Sequence, residues 1–131
     1  MIGLDSNVVL RLLLDDAPDQ NAKLDILFAE FGREPESLLL TDVVLAEVIW
    51  SLRSAYRQDK AAQLQALRGL LGEAAFAFEH RAVVERAVAL FEHAACGFAD
   101  CLVAARHAQC GCAFTATFDR AMRTIPGVRV L

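Results

Sequence analysis

No apolar run in this chain approaches the roughly 20 residues that a membrane-spanning helix needs, because charges such as Arg11, Lys23 and Asp25 interrupt the candidate stretches. The opening Met-Ile-Gly-Leu-Asp has neither a basic leader nor a long apolar segment, so it does not read as a secretory signal, and a cytoplasmic location without a membrane is the expectation. Positive charge is also short. Thirteen Lys and Arg against 17 Asp and Glu leave a net charge of −4, which argues against holding nucleic acid by bulk electrostatics alone. Bound divalent ions would reverse that balance locally. Four cysteines, Cys96, Cys101, Cys110 and Cys112, stand only in the last third, whereas a secreted disulfide scaffold would spread them through the chain. With His93 and His107 nearby they raise the question of a zinc site, but reduced thiols acting as small buried hydrophobes are the simpler reading.

What remains is a length of 131 residues with 56% hydrophobic side chains and a mean hydropathy of +0.36, enough for one core and one domain over residues 1–131. Strand and helix signals alternate without repeats, low-complexity tracts or long linkers, which predicts an α/β layer fold with a small, mostly parallel sheet flanked by helices. Ile2 to Leu4, Leu38 to Leu40, Ala75 to Phe78, Cys112 to Thr115 and Val128 to Leu131 are the strand candidates, the last closing the sheet. Helices are predicted from Asn7 to about Leu14, from Pro18 to a stop at Gly32, after a cap at Thr41 or Asp42, and over Lys60 to Leu71, His80 to Ala95 and Phe98 to Gln109. Leu24, Leu27, Phe28 and Phe31 mark one buried stripe of the second helix.

Four carboxylates stand at the ends of these elements or among apolar neighbours. Asp5 directly follows the first strand, Glu47 lies among Leu45, Ala46, Val48, Ile49 and Trp50, Asp100 falls in the first turn of a helix, and Asp119 follows the fourth strand. Taken singly, each has an ordinary explanation as a cap, a turn residue or an exposed helix position. As a set they predict one cation-filled pocket outside the carboxyl ends of the strands, and oxygen-only ligands suit Mg²⁺ or Mn²⁺ better than zinc. Arg53, Arg57 and Lys60 recur at helical spacing and read either as a solvated face or as a phosphate-tracking stripe. The first helix, with Val8, Val9, Leu10, Leu12, Leu13 and Leu14 around Arg11, must be covered on every side, by a partner or within the domain by Leu24, Phe28 and Trp50.

Leu4-Asp5-Ser6-Asn7, Leu45-Ala46-Glu47-Val48, Gly97-Phe98-Ala99-Asp100-Cys101-Leu102-Val103-Ala104, Thr117-Phe118-Asp119-Arg120 and Pro126-Gly127-Val128, in this order, resemble a PIN domain over nearly the whole chain. Among PIN proteins the likeness is greatest to VapC-type ribonuclease toxins of toxin–antitoxin pairs. The resemblance implies a metal-dependent endoribonuclease using Mg²⁺ or Mn²⁺, with Asp5, Glu47 and Asp100 as the core acids, Asp119 as a fourth, and Asn7, Ser6 and Thr117 in support; Ser6 stands where the family more often has Thr. It further implies an RNA substrate, products with a 5′-phosphate and a 3′-hydroxyl, a homodimer, and a cognate VapB-like antitoxin whose tail enters a groove beside the first helix. Other readings are a catalytically silent PIN-like module that binds RNA or protein, and a PIN nuclease of RNA processing. A haloacid-dehalogenase-type phosphatase or a receiver domain fits poorly, since Asp5-Ser6-Asn7 lacks the second Asp of the former and no adjacent acidic pair marks the latter.

Overall fold

Short segments of two or three residues become strands in the computed structural model, which describes residues 1–131. The chain forms two compact units, Met1–Glu79 and His80–Leu131. In the first unit, β1 (Ile2–Gly3), β2 (Leu38–Leu40) and β3 (Phe76–Phe78) pair in parallel in the order β1-β2-β3, with Ile2 opposite Leu38 and Leu38 opposite Phe76. Parallel neighbours need long crossovers. Here each crossover is a pair of helices: α1 (Ser6–Leu14) and α2 (Pro18–Phe31) from β1 to β2, and α3 (Asp42–Ser54) and α4 (Lys60–Gly72) from β2 to β3.

The helix boundaries follow local chemistry. Pro18 takes the first turn of α2, where its missing N–H is no loss. Thr41 Oγ1 accepts the Val44 N–H at 3.3 Å to start α3, and Asp59 Oδ1 accepts the Ala62 N–H at 2.9 Å to start α4. Gly32 ends α2 without entering the left-handed region; its need for glycine is steric, since a Cβ there would lie 2.9 Å from the Phe28 carbonyl oxygen. Leu38, Leu40, Leu45, Val48 and Leu52 are fully buried and form the heart of this unit. Phe28 of α2 meets Phe76 of β3 edge to face, with centroids 6.2 Å apart. The buried stripe expected on α2 is narrower than its spacing suggests: Leu24 is buried, Leu27 and Phe28 are half-buried, and Phe31 is exposed.

On α1, Val9 and Leu10 are buried, whereas Val8, Leu12, Leu13 and Leu14 are only half-covered. Trp50 is not among its covers, being 66% exposed. Arg11 does not point freely into solvent. It pairs with Asp16 and donates to Tyr56 Oη at 2.7 Å, tying α1 to the turn after α3. Leu13 lines a groove of about 450 Å³ with Gln58, Ala62, Gln65, Ala66 and Gly69 of α4 and the turn before it.

The second unit packs α5 (Arg81–His93) against α6 (Phe98–Gln109), with Phe91 and Phe98 edge to face at 5.9 Å. β4 (Thr115–Thr117) and β5 (Val128–Val130) follow, joined through a 3-10 helix, Arg120–Thr124, and paired in parallel with Thr115 opposite Val128. β5 thus pairs with β4 in a two-stranded sheet of its own rather than closing one continuous sheet. The fourth strand also begins later than predicted. Cys112 still donates to the His107 carbonyl at the exit of α6, and Gly111 adopts a left-handed φ of 83°, so the chain straightens only at Thr115. The architecture is α/β, with small parallel sheets flanked by helices, and no helix is long and apolar enough to cross a membrane.

Candidate functional site

In the first unit the carboxyl ends of β1, β2 and β3 share one edge of the parallel sheet, and an acid follows each of them: Asp5, Asp42 and Glu79. Asp5 occupies the N-cap position of α1 with extended backbone, yet its side chain makes no capping hydrogen bond and remains exposed. A cap residue that does not cap leaves its oxygens available for a ligand. Glu79 accepts the Asp42 N–H at 2.7 Å, fastening the start of α3 to the end of β3. Asp42 and Glu79 were not singled out by sequence motifs, although an acid immediately after a strand is the same signal that marks Asp5.

Glu47 lies about one and a half turns into α3 and is exposed. Its apolar sequence neighbours do not enclose it. Leu45, Val48 and Ile49 turn to the buried side, while Val43 and Trp50 share the outer face with Glu47 and are 68% and 66% exposed. The apolar neighbours therefore do not force this charge into a pocket, because helical geometry separates neighbours in sequence onto opposite faces.

In the second unit Asp100 is half-buried in the first turn of α6, where the helix N-terminus favours a carboxylate. Asp119 follows β4 and caps the 3-10 helix: its Oδ1 accepts the Ala121 N–H at 2.8 Å, and its own N–H donates to Thr117 Oγ1 at 3.0 Å. Both carboxylates act on one thiol. Burial pushes the Cys96 pKa above its ordinary value, and the negative charges of Asp100 and Asp119 push it further in the same direction. Asp100 and Asp119 thus belong to one locality of this unit, around the buried Cys96.

Ser6 and Asn7 lie in the first turn of α1, half-buried and exposed respectively. Arg53, Arg57 and Lys60 do not form a stripe on one helix. Arg53 is in the last turn of α3, Arg57 lies in the following turn with a left-handed φ of 52°, and Lys60 begins α4. All four cysteines are free thiols, but only Cys96 and Cys101 are buried; Cys110 and Cys112 are exposed, contrary to a uniform role as small core residues. Within neither unit do three or more His, Cys, Asp or Glu side chains come close enough together to hold a metal ion.

A sequence model of the PIN domain family matches residues 2–128, running across both units and through all four candidate acids. The chain belongs to the PIN domain family. No curated protein and no solved structure gives a significant match. PIN domains are in general nucleases that use divalent metal ions, so the α/β architecture described above is a nuclease-type fold. The donor chemistry of this PIN domain is compatible with such ions. Carboxylate oxygens are hard ligands suited to Mg²⁺ or Mn²⁺, Asp5 spends no oxygen on its helix, and Asp100 and Asp119 bring like charges to one place that a cation would neutralise.

Proposed function

We propose that this PIN domain is an endoribonuclease toxin of the VapC type, hydrolysing RNA phosphodiester bonds with Mg²⁺ or Mn²⁺. The observation that carries this reading is a PIN match over residues 2–128 in which Asp5, Glu47, Asp100 and Asp119 are all present. Asp5, Glu47 and Asp100 would hold the metal, with Asp119 as a further ligand. When bound, the ion supplies Lewis acidity toward the scissile phosphate and lowers the pKa of an attacking water. The protein's own part is to present the oxygens. The N-terminus of α1 carries Asp5, the outer face of α3 carries Glu47, and the first turn of α6 holds Asp100. Thr117 supports Asp119 through its backbone N–H. Asn7 and Ser6 stand beside Asp5 as polar neighbours for a bound phosphate or water.

The proposed partner is a VapB-like antitoxin. The half-covered apolar face of α1 and the groove of about 450 Å³ next to Leu13 offer it a seat in the first unit. An Arg or Lys in its tail would complement the acids. A cytoplasmic homodimer completes this reading, on the strength of the resemblance to toxins of this type.

The test is cleavage of a total RNA pool by purified protein with Mn²⁺ or Mg²⁺, with EDTA, and with Asp100→Asn prepared identically. Discrete fragments that require both metal and Asp100 are expected. Equal behaviour of wild type and variant would refute the metal assignment. A PIN-like module that binds RNA or protein without cutting is the second reading. Metal-independent RNA binding without cleavage, in protein shown by mass spectrometry to be free of antitoxin, would select it.

A further inference from the structure

Cys96 and Cys101 flank the start of α6. Gly97 is the N-cap of that helix, so Cys96 directly precedes the cap and Cys101 is the fourth helical residue, the two positions whose side chains meet across a helix entry. They meet here as thiols: the two side chains are hydrogen-bonded to each other, with Cys96 at 8% exposure and Cys101 at 0%. Leu or Val at the same positions would bury more apolar area, so packing alone gives no reason for sulfur at both. The turn between them has slack. The Cys101 N–H reaches the Gly97 carbonyl at 3.4 Å, a long first backbone bond for α6.

We propose that Cys96 and Cys101 are a redox pair, oxidised by a peroxide to a reversible disulfide across the N-terminus of α6. Cys96 is the sulfur that a small oxidant reaches, since Cys101 has no exposed surface. The Cys96 Sγ, as thiolate, attacks one peroxide oxygen; the O–O bond breaks, leaving a sulfenic acid on Cys96 and, after proton uptake, one water. The Cys101 Sγ, already in contact, then attacks the sulfenic sulfur. The S–S bond forms, and the departing hydroxide takes the Cys101 proton to become a second water. Two thiols thus lose two electrons and hydrogen peroxide gains them. Burial, and then the charges of Asp100 and Asp119, hold Cys96 as the thiol, which makes the first step slow without changing its end point. Closing a bond of about 2 Å from hydrogen-bond contact draws the first turn of α6 toward Cys96. Asp100 stands in that turn, directly before Cys101, so the bridge displaces this candidate ligand. Only that consequence rests on the nuclease reading.

Trypsin separates this pair from the exposed thiols: cleavage after Arg86, Arg106 and Arg120 puts Cys96 and Cys101 on peptide 87–106, and Cys110 and Cys112 on peptide 107–120. The experiment is treatment of the whole reduced protein with hydrogen peroxide to completion, then alkylation in denaturant, digestion and mass spectrometry. Peptide 87–106 is expected two hydrogens lighter and free of alkyl groups, and dithiothreitol before alkylation should restore both sites. A peptide that still alkylates twice, that carries sulfinic acid instead of a bridge, or that is joined to another peptide would overturn the proposal. In Cys101→Ser, with no second thiol, Cys96 should proceed to a sulfinic acid that dithiothreitol does not reverse. The double variant Cys110→Ser, Cys112→Ser should form the bridge as wild type does, and its failure to do so would overturn direct attack at Cys96. Metal-dependent cleavage of RNA by that double variant should fall about 100-fold on bridging, the scale for a misplacement of about 1 Å at a reacting site, and return with dithiothreitol. Equal cleavage in the two states would overturn the displacement of Asp100. Failure of the nuclease reading appears separately, as a protein that bridges on oxidation yet cuts no RNA when reduced.

Discussion

In the unit Met1–Glu79 the candidate acids take little part in holding up the backbone, whereas in His80–Leu131 one of them does. Asp5 sits at the N-cap of α1 without capping it, and Glu47 stands on an exposed face, while the capping of α3 and α4 falls to Thr41 and Asp59. Asp119, by contrast, both caps the 3-10 helix and presses its charge, with that of Asp100, on the buried Cys96. The difference separates two kinds of substitution. Where ligand and scaffold are different residues, function can be removed without touching stability; where one carboxylate has both roles, the two losses come together.

The largest expected effect tests the first half of this contrast. Asp5→Asn and Glu47→Gln should each lower metal-dependent cleavage by about 100-fold or more, the scale for losing a group that stabilises transition-state charge. Their stability should stay within about 0.5 kcal/mol of wild type, as for surface changes that remove no cap or packing. Denaturant midpoints measured beside cleavage rates would show it, and a clear loss of stability in Asp5→Asn would break the comparison. Thr41→Ala should do the reverse, destabilising by about 1 kcal/mol through the lost cap of α3 while cleavage at a permissive temperature persists.

Asp119 sharpens the contrast. Asp119→Ala should lose activity and also about 0.5–1 kcal/mol of stability, because the Ala121 N–H loses its acceptor. Asp119→Asn keeps an oxygen for that N–H and removes the charge, so it should lose activity with little change in the midpoint. Equal midpoints for the two variants would mean that the cap contributes nothing.

The smallest effect concerns pH. Cys96 has a pKa raised above the ordinary 9.0, mainly by burial and then by Asp100 and Asp119. The unfolded chain therefore releases this proton at lower pH than the folded one. Its contribution to stability is complete below the ordinary thiol pKa and is lost as pH rises from there through the folded value. Cys96→Ser should flatten the alkaline decline of stability, and Asp100→Asn should move the thiol partway back toward its ordinary value. Thiolate absorbance against pH in the two proteins would measure both shifts.

Local order was largely legible in the residues themselves. Pro18, Gly32, Thr41 and Phe98 stand where the helices start or stop, because caps and breakers act within a turn of their own position. The partners of β5 were not legible, since strand pairing joins residues far apart in sequence and the apolar pattern of Val128 to Val130 fits either one sheet or two. The apolar Cys112-Ala113-Phe114 suggested an early strand. All three are exposed, and Phe114 is covered on one face by the Arg129 guanidinium, 3.8 Å from its ring centre, a contact no local pattern discloses. The acids were legible as residue types in order. Their surroundings were not: of the apolar neighbours of Glu47, Leu45, Val48 and Ile49 face the other way while Trp50 shares its exposed face, and Arg53, Arg57 and Lys60 are spaced for a helix that ends at Ser54.

The hydrogen bond from the Asp42 N–H to Glu79 also bears on the order in which the protein is made. As the chain leaves the ribosome, α3 emerges with Thr41 to start it, but the carboxylate that fastens its first turn lies 37 positions further on. Until β3 has emerged and aligned beside β2, the helix bearing Glu47 lacks this anchor. During synthesis the face that carries this acid is therefore set late, when the last residue of the first unit arrives.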